Sequence, residues 1–226
     1  MTMTNSKTKL RSLVLALLAA STLGGALSGC APLLIGGAAV GGALMATDRR
    51  TSGTQIEDQA IELKASNRVK DVLGEKGHVN VTSYNRMLLI TGEVPTEAER
   101  VAVEQSLSRI ENVRGTFNEL VVGPNSTIGS RSNDLLLESK VKATFVDAKD
   151  IMSNAYKVVA ERGTVFLMGR VTEREANRGA ELARSIAGVS KVVKAFEILS
   201  EEELAALGRK EHVAPKPAAP AASTAQ

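Results

Sequence analysis

The chain has 226 residues, of which 43% are hydrophobic but only 3% aromatic, with no tryptophan, one cysteine and two histidines. A lone cysteine excludes an intrachain disulfide, and two histidines, one in a loop and one in a tail, exclude a histidine-based triad and a histidine-rich metal site. The 28 basic residues nearly match the 25 acidic ones, and setting aside residues 1–29 leaves 25 of each, so no excess of positive charge points to nucleic acid.

Lys7, Lys9 and Arg11 precede an apolar run from Leu13 to Ala20, too short to span a bilayer, and small residues follow up to Cys30. That order is the pattern of a secretory signal, placed here at residues 1–29. Leu27-Ser28-Gly29-Cys30 resembles the lipobox of bacterial lipoproteins. The resemblance implies cleavage before Cys30, diacylation of its thiol and acylation of the new amino terminus; ordinary cleavage leaving a free thiol is the alternative. In such lipoproteins an Asp after the cysteine marks inner-membrane retention, and Ala31 here implies the outer membrane, on its periplasmic face. No cofactor is expected beyond the covalent lipid on Cys30.

Residues 31–46 are apolar, but they hold four glycines in sixteen positions, short of the roughly 20 residues of a spanning helix. With Cys30 and the polar run from Asp48 to Gly53 they form an expected tether, residues 30–53. Two folded units are expected next, at 54–122 and 132–199, joined by a linker at 123–131. Residues 200–226 are predicted to begin as a helical extension and end in a disordered Pro/Ala-rich tail from His212 to Gln226.

The two units are an internal duplication. Asp58, Ile61, Glu62 and Lys64 match Asp134, Leu137, Glu138 and Lys140, and Leu88-Leu89-Ile90-Thr91-Gly92-Glu93-Val94 matches Val165-Phe166-Leu167-Met168-Gly169-Arg170-Val171. Each repeat reads as helix, strand, strand, helix, strand. Tight turns are predicted at Asn85-Arg86 and Arg162-Gly163, and helix-capping threonines at Thr96 and Thr172, each with a Glu three residues on. The following helices are expected to pack through Val101, Leu107 and Ile110, and through Ala180, Leu182 and Ile186. Tyr84, Phe117, Phe145, Phe166 and Phe196 are expected to be mostly buried, and Met152 and Met168 to fill core. The glutamates around Arg170, Arg174 and Arg178 make a solvated charged face there the expectation.

On a helical wheel Leu137, Val141, Thr144 and Phe145 share one sector of the second repeat's first helix, its packing face. Leu135 and Leu136 fall outside that sector, Leu136 above Lys140 and Leu135 beside Ser139 and Lys142. The first repeat has Gln59 and Ala60 at the matching positions, so apolar residues there are not required by the fold. The first repeat carries 8 basic and 11 acidic residues, the second 11 and 9. An exposed Leu pair beside lysines suits a weak contact with an anionic membrane; the alternative is packing against the first repeat or the linker.

Gly-x-Val before a capped helix and Ile-x-Gly-Val after it, as in Gly169-Arg170-Val171 and Ile186-Ala187-Gly188-Val189, resemble the BON domain. Behind a lipobox, two such units resemble the dual BON-domain outer-membrane lipoproteins. The resemblance implies an α+β fold of two tandem small BON domains, each a three-stranded mixed sheet against two helices, and a non-catalytic protein. It further implies binding of anionic phospholipid of the outer membrane's inner leaflet through the first helix of the second domain, support of the membrane barrier, and presence at division sites in some relatives. The position matching Leu136 is Trp in such proteins. The candidate site is therefore Leu135, Leu136, Lys140 and Lys142, with Cys30 the lipidation site, no metal ligands and no nucleic-acid partner. The rival reading is an adaptor that docks an envelope assembly machine or a peptidoglycan-remodelling regulator through the same surfaces.

Overall fold

The computed structural model describes residues 48–211, with side chains to residue 207. The signal, Cys30, residues 31–46 and the tail from His212 lie outside the described residues. The first half is built from α1 (Ser52–Leu73), β1 (His78–Tyr84), β2 (Met87–Val94), α2 (Glu97–Ser108) and β3 (Gly115–Val122). The second repeats it as α3 (Ile128–Asp147), β4 (Tyr156–Glu161), β5 (Thr164–Val171), α4 (Glu173–Arg184) and β6 (Lys191–Ile198), followed by α5 (Glu201–Glu211). Each half has a three-stranded sheet whose middle strand pairs antiparallel with the strand before it and parallel with the strand after it. A parallel pair needs a long crossover, which α2 and α4 supply.

The hairpins close where the sequence places turns. Asn85 and Arg86 have φ of 50° and 65°, and Arg162 and Gly163 have 52° and 71°, the paired positive angles of a type I′ turn. A buried aspartate holds each turn from the preceding helix. Asp58 accepts from Ser83 Oγ and from the amides of Asn85 and Arg86 at 2.7–2.8 Å. Asp134 accepts from the amides of Arg162 and Gly163, both at 2.9 Å. Gly92 and Gly169 lie where the hairpin strands approach closely: a Cβ would sit 2.0 Å from the His78 carbonyl oxygen in the first and 2.3 Å from that of Ala155 in the second.

Period-two alternation sorts each middle strand between two buried faces. Leu88, Ile90 and Val94 pack with Ile61, Ala65, Val103 and Leu107 under α1 and α2. Val165, Leu167 and Val171 pack with Leu137, Val141, Phe145 and Ala180 under α3 and α4. The opposite faces meet: Tyr84 and Leu89 of the first sheet join Phe166, Met168 and Ala195 of the second in a third core, flanked by Met87, Phe117, Val159 and Val193. The sheets therefore stack face to face with helices outside, and this is why the middle strands read as continuous apolar runs.

Several details depart from the sequence reading. The first helix starts at Ser52, inside the expected tether, because the Thr51 hydroxyl caps the Thr54 amide. Likewise α3 starts at Ile128, inside the expected linker, capped by Thr127 on Ser130. Val101 is exposed and Val103, in step with Leu107, takes its place in the core. Met152 is exposed rather than a core filler, whereas Met168 is fully buried between the sheets. His78 is the first residue of β1 instead of a loop residue.

Candidate functional site

The capped start of α3 sets the phase of the whole helix. Asp134, Leu137, Val141 and Phe145 turn inward, with the Phe145 ring edge-on to Tyr156 at 4.9 Å. With those positions filled, the 100° step per residue leaves Ile128, Leu135 and Val146 in one stripe on the opposite side, along with Ser139 and Lys142. Ile128 is 83%, Leu135 66% and Val146 71% exposed, and Leu136, on the flank of the stripe, is 60% exposed. The Leu pair therefore does not pack against the first repeat or the linker. From Ile128 to Val146 the ridge runs about 27 Å at 1.5 Å per residue.

The two candidate lysines differ. Lys142 is ion-paired with Glu138 one turn before it, whereas Lys140 makes no ion pair among the described residues. Lys140 and Leu136 border a cleft of about 410 Å³ whose floor includes Ser130, Asn133, Gly163 and Gly188. Apolar side chains along the crest, with cationic and polar groups at the side, can meet a surface that is apolar inside and anionic at its rim. Ile128 and Val146 were not singled out in the sequence, although their spacing from Leu135 carries the signal.

In α1, Gln59 is exposed and Ala60 half-buried, as the repeat alignment anticipates, but α1 has an outward pair of its own, Ile56 and Leu63, each 66% exposed. Those positions align with Ser132 and Ser139 in the second repeat. The second repeat differs in the length of its ridge, in Lys142 where the first has Ser66, and in Lys140, whose counterpart Lys64 is ion-paired with Glu111.

The residues just before α1 tie the halves together. Arg49 forms a two-pronged pair with Glu175 at 2.7 and 2.8 Å and also donates to the Arg170 carbonyl. Arg50 reaches Asp58 at 2.7 Å and lies over the Tyr84 ring, 4.2 Å from its centroid. Glu175 completes the Thr172 capping box and is buried. Its carboxyl is held below the usual range, first by the Arg49 hydrogen bond. The solvated face expected around Arg170, Arg174 and Arg178 holds in part: Arg170 pairs with Glu197 between the sheets, whereas Arg174 is exposed and Arg178, paired with Asp150, is partly exposed.

At the far end of the sheet stack His78, Glu93 and Glu161 come together, their nearest nitrogen and oxygen atoms all within 4.8 Å of one another. The sequence reading looked for several histidines and so passed over one histidine joined by carboxylates from two domains.

A signal ending in a lipobox and a pair of helix-on-sheet units with an apolar, lysine-flanked helix turned outward define a lipid-anchored, two-domain envelope protein. The chain belongs to the BON-domain family: the family model matches residues 57–124 and 133–200. It is 41% identical over 176 residues to the outer membrane lipoprotein DolP of Haemophilus influenzae, covering 76% of this chain and 90% of the relative. It is 32% identical over 149 residues to a 21 kDa hemolysin of Actinobacillus pleuropneumoniae, covering 65% and 77%. A solved C-terminal domain of CdsD, a structural protein of the type III secretion system of Chlamydia trachomatis, aligns over 59% of this chain and 96% of its own with 10% identity and a TM-score of 0.27, too low to carry an argument. The chain is an outer-membrane lipoprotein with a role at that membrane.

Proposed function

We propose that this lipoprotein binds anionic phospholipid of the outer membrane's inner leaflet through the outer ridge of α3 and thereby supports the membrane barrier, including at division sites, without catalysing a reaction. The observation that supports this most is the exposure of Leu135 in line with Ile128 and Val146, with Leu136 on the flank beside Lys140, which makes no ion pair among the described residues. Full burial of a Leu is worth about 1.5–3 kcal/mol, and a Lys near an anionic surface about 1 kcal/mol. Partial burial of this ridge, less the cost of ordering, gives binding near the millimolar range. That suffices for a domain whose acylated Cys30 keeps it at a comparable effective concentration beside the bilayer.

The test is co-sedimentation of residues 47–226 with vesicles of phosphatidylglycerol and cardiolipin, or of zwitterionic lipid. Binding to the anionic vesicles alone, weakened about tenfold in the Leu135→Gln, Leu136→Ala double variant and reduced by salt, is expected. Unchanged binding in the variant overturns the site. Loss of a stoichiometric envelope protein in the variant, with vesicle binding intact, transfers the ridge to the adaptor reading.

A further inference from the structure

We propose that His78, Glu93 and Glu161 form a binding site for a divalent transition-metal ion of the zinc class, shared between the two domains. The site is independent of the lipid-facing ridge. His78 opens β1, Glu93 lies near the end of β2, and Glu161 ends β4, so the stacking of the sheets brings together residues from both repeats. The second repeat has Arg170 where the first has Glu93, so the fold does not call for a carboxylate at that strand position.

The geometry suits a metal better than it suits the protein alone. His78 Nδ1 is buried and has no hydrogen-bond partner among the described residues, although Glu93 Oε2 is 3.4 Å away. In a tetrahedral zinc site with bonds of about 2.0–2.2 Å, neighbouring ligand atoms lie roughly 3.4 Å apart. Glu93 is 0% exposed and Glu161 6% exposed, and a buried carboxylate is costly without a counter-charge. Among the described residues, the arginine ion-paired with this cluster is Arg162, 3.4 Å from Glu93 Oε1, and its side chain is 45% exposed. Two buried carboxylates against one half-exposed arginine leave negative charge that a divalent ion would balance.

The surrounding contacts orient the ligands without using them up. The Ser126 amide donates to Glu93 Oε2 at 3.0 Å, and Asn80 Nδ2 donates to Glu161 Oε2 at 2.9 Å. A carboxylate accepts at about four positions, so each keeps room for a metal. An imidazole nitrogen with two carboxylates favours zinc-class ions over calcium or magnesium, which prefer all-oxygen shells. A cleft of about 190 Å³, lined by Glu119, Glu161, Arg162 and Lys191, opens beside Glu161 as a route of entry.

The experiment is calorimetric titration of the untagged full chain in detergent micelles, stripped with chelator, with zinc and in parallel with magnesium, alongside thermal unfolding with and without each ion. Expected are one zinc per chain with micromolar affinity or better, at least about tenfold weaker magnesium binding, and a rise in unfolding temperature that chelator reverses. His78→Ala and Glu161→Gln should each weaken zinc binding at least about tenfold while unfolding in chelator as cooperatively as the parent. Glu161→Gln is suited to this because it keeps the size and one carbonyl acceptor of the side chain while removing its charge. His212→Ala and the Leu135→Gln, Leu136→Ala variant should bind zinc as the parent does, which separates this proposal from the lipid reading. Absence of zinc binding, equal binding of magnesium, or binding retained in both site variants overturns it. So does an unfolding temperature that zinc leaves unchanged.

Discussion

At the scale of single residues, the fold depends on a few buried charges whose partners are backbone amides or arginines. Asp58 and Asp134 are matched in the repeat alignment, yet the sequence does not say that each holds a hairpin turn several residues away in space. Asp134→Ala should cost about 2 kcal/mol, because it leaves two part-buried turn amides without their charged acceptor; the shift in urea midpoint measures it. Glu175 makes a pH-dependent contribution of predictable sign. Its folded pKa is depressed, chiefly by Arg49, so its stabilisation is present above the ordinary value of 4.5 and is lost as pH falls through the folded value. Glu161 has the opposite sign: its raised pKa favours the fold at low pH, and that contribution is lost as pH rises through the folded value. Urea unfolding of Glu175→Gln should therefore show a clear deficit at neutral pH that narrows towards about pH 3.

At the scale of elements, capping and close approach decide where helices and strands begin and how they register. The Thr96 and Thr172 caps and both I′ turns were legible because each is a local pattern of few residues. The starts of α1 and α3 were not, because Thr51 and Thr127 cap helices whose first turns, Ser52-Gly53-Thr54 and Ile128-Gly129-Ser130, are poor helix formers by composition. Gly169→Ala should be among the most damaging single changes, since its Cβ would sit 2.3 Å from the Ala155 carbonyl oxygen and force β4 away from β5; a loss of cooperative thermal unfolding is the expected reading. The α3 ridge behaves in the reverse way. Leu135→Gln with Leu136→Ala touches only exposed positions, so its unfolding free energy should stay within about 0.5 kcal/mol of the parent per substitution while vesicle binding falls.

At the scale of the molecule, the two repeats fold as one stack rather than as beads on a string. Leu89, Phe166 and Met168 place the helix-free faces of both sheets in a common core, and Arg49 and Arg50 reach into opposite halves from adjacent positions. The described unit should unfold in a single transition. Leu89→Ala, which hollows the joint core, should cost about 2–5 kcal/mol and split that transition into two by calorimetry, whereas an exposed substitution such as Val101→Ala should not. The Arg49 and Arg50 contacts, immediately before α1, therefore tie the start of the first repeat to the second.

The sequence by itself determined the duplication, the order of elements and the position of Leu135 and Leu136 off the packing face of their helix, all of which rest on local order or on helical and strand periodicity. Only the tertiary structure decided which sheet faces meet, that Glu175 and Glu93 are buried charges, and that His78 stands beside Glu161 from the other repeat. Those facts depend on residues far apart in the chain brought together by sheet stacking, and periodicity reports which side of an element is buried without reporting what lies against it.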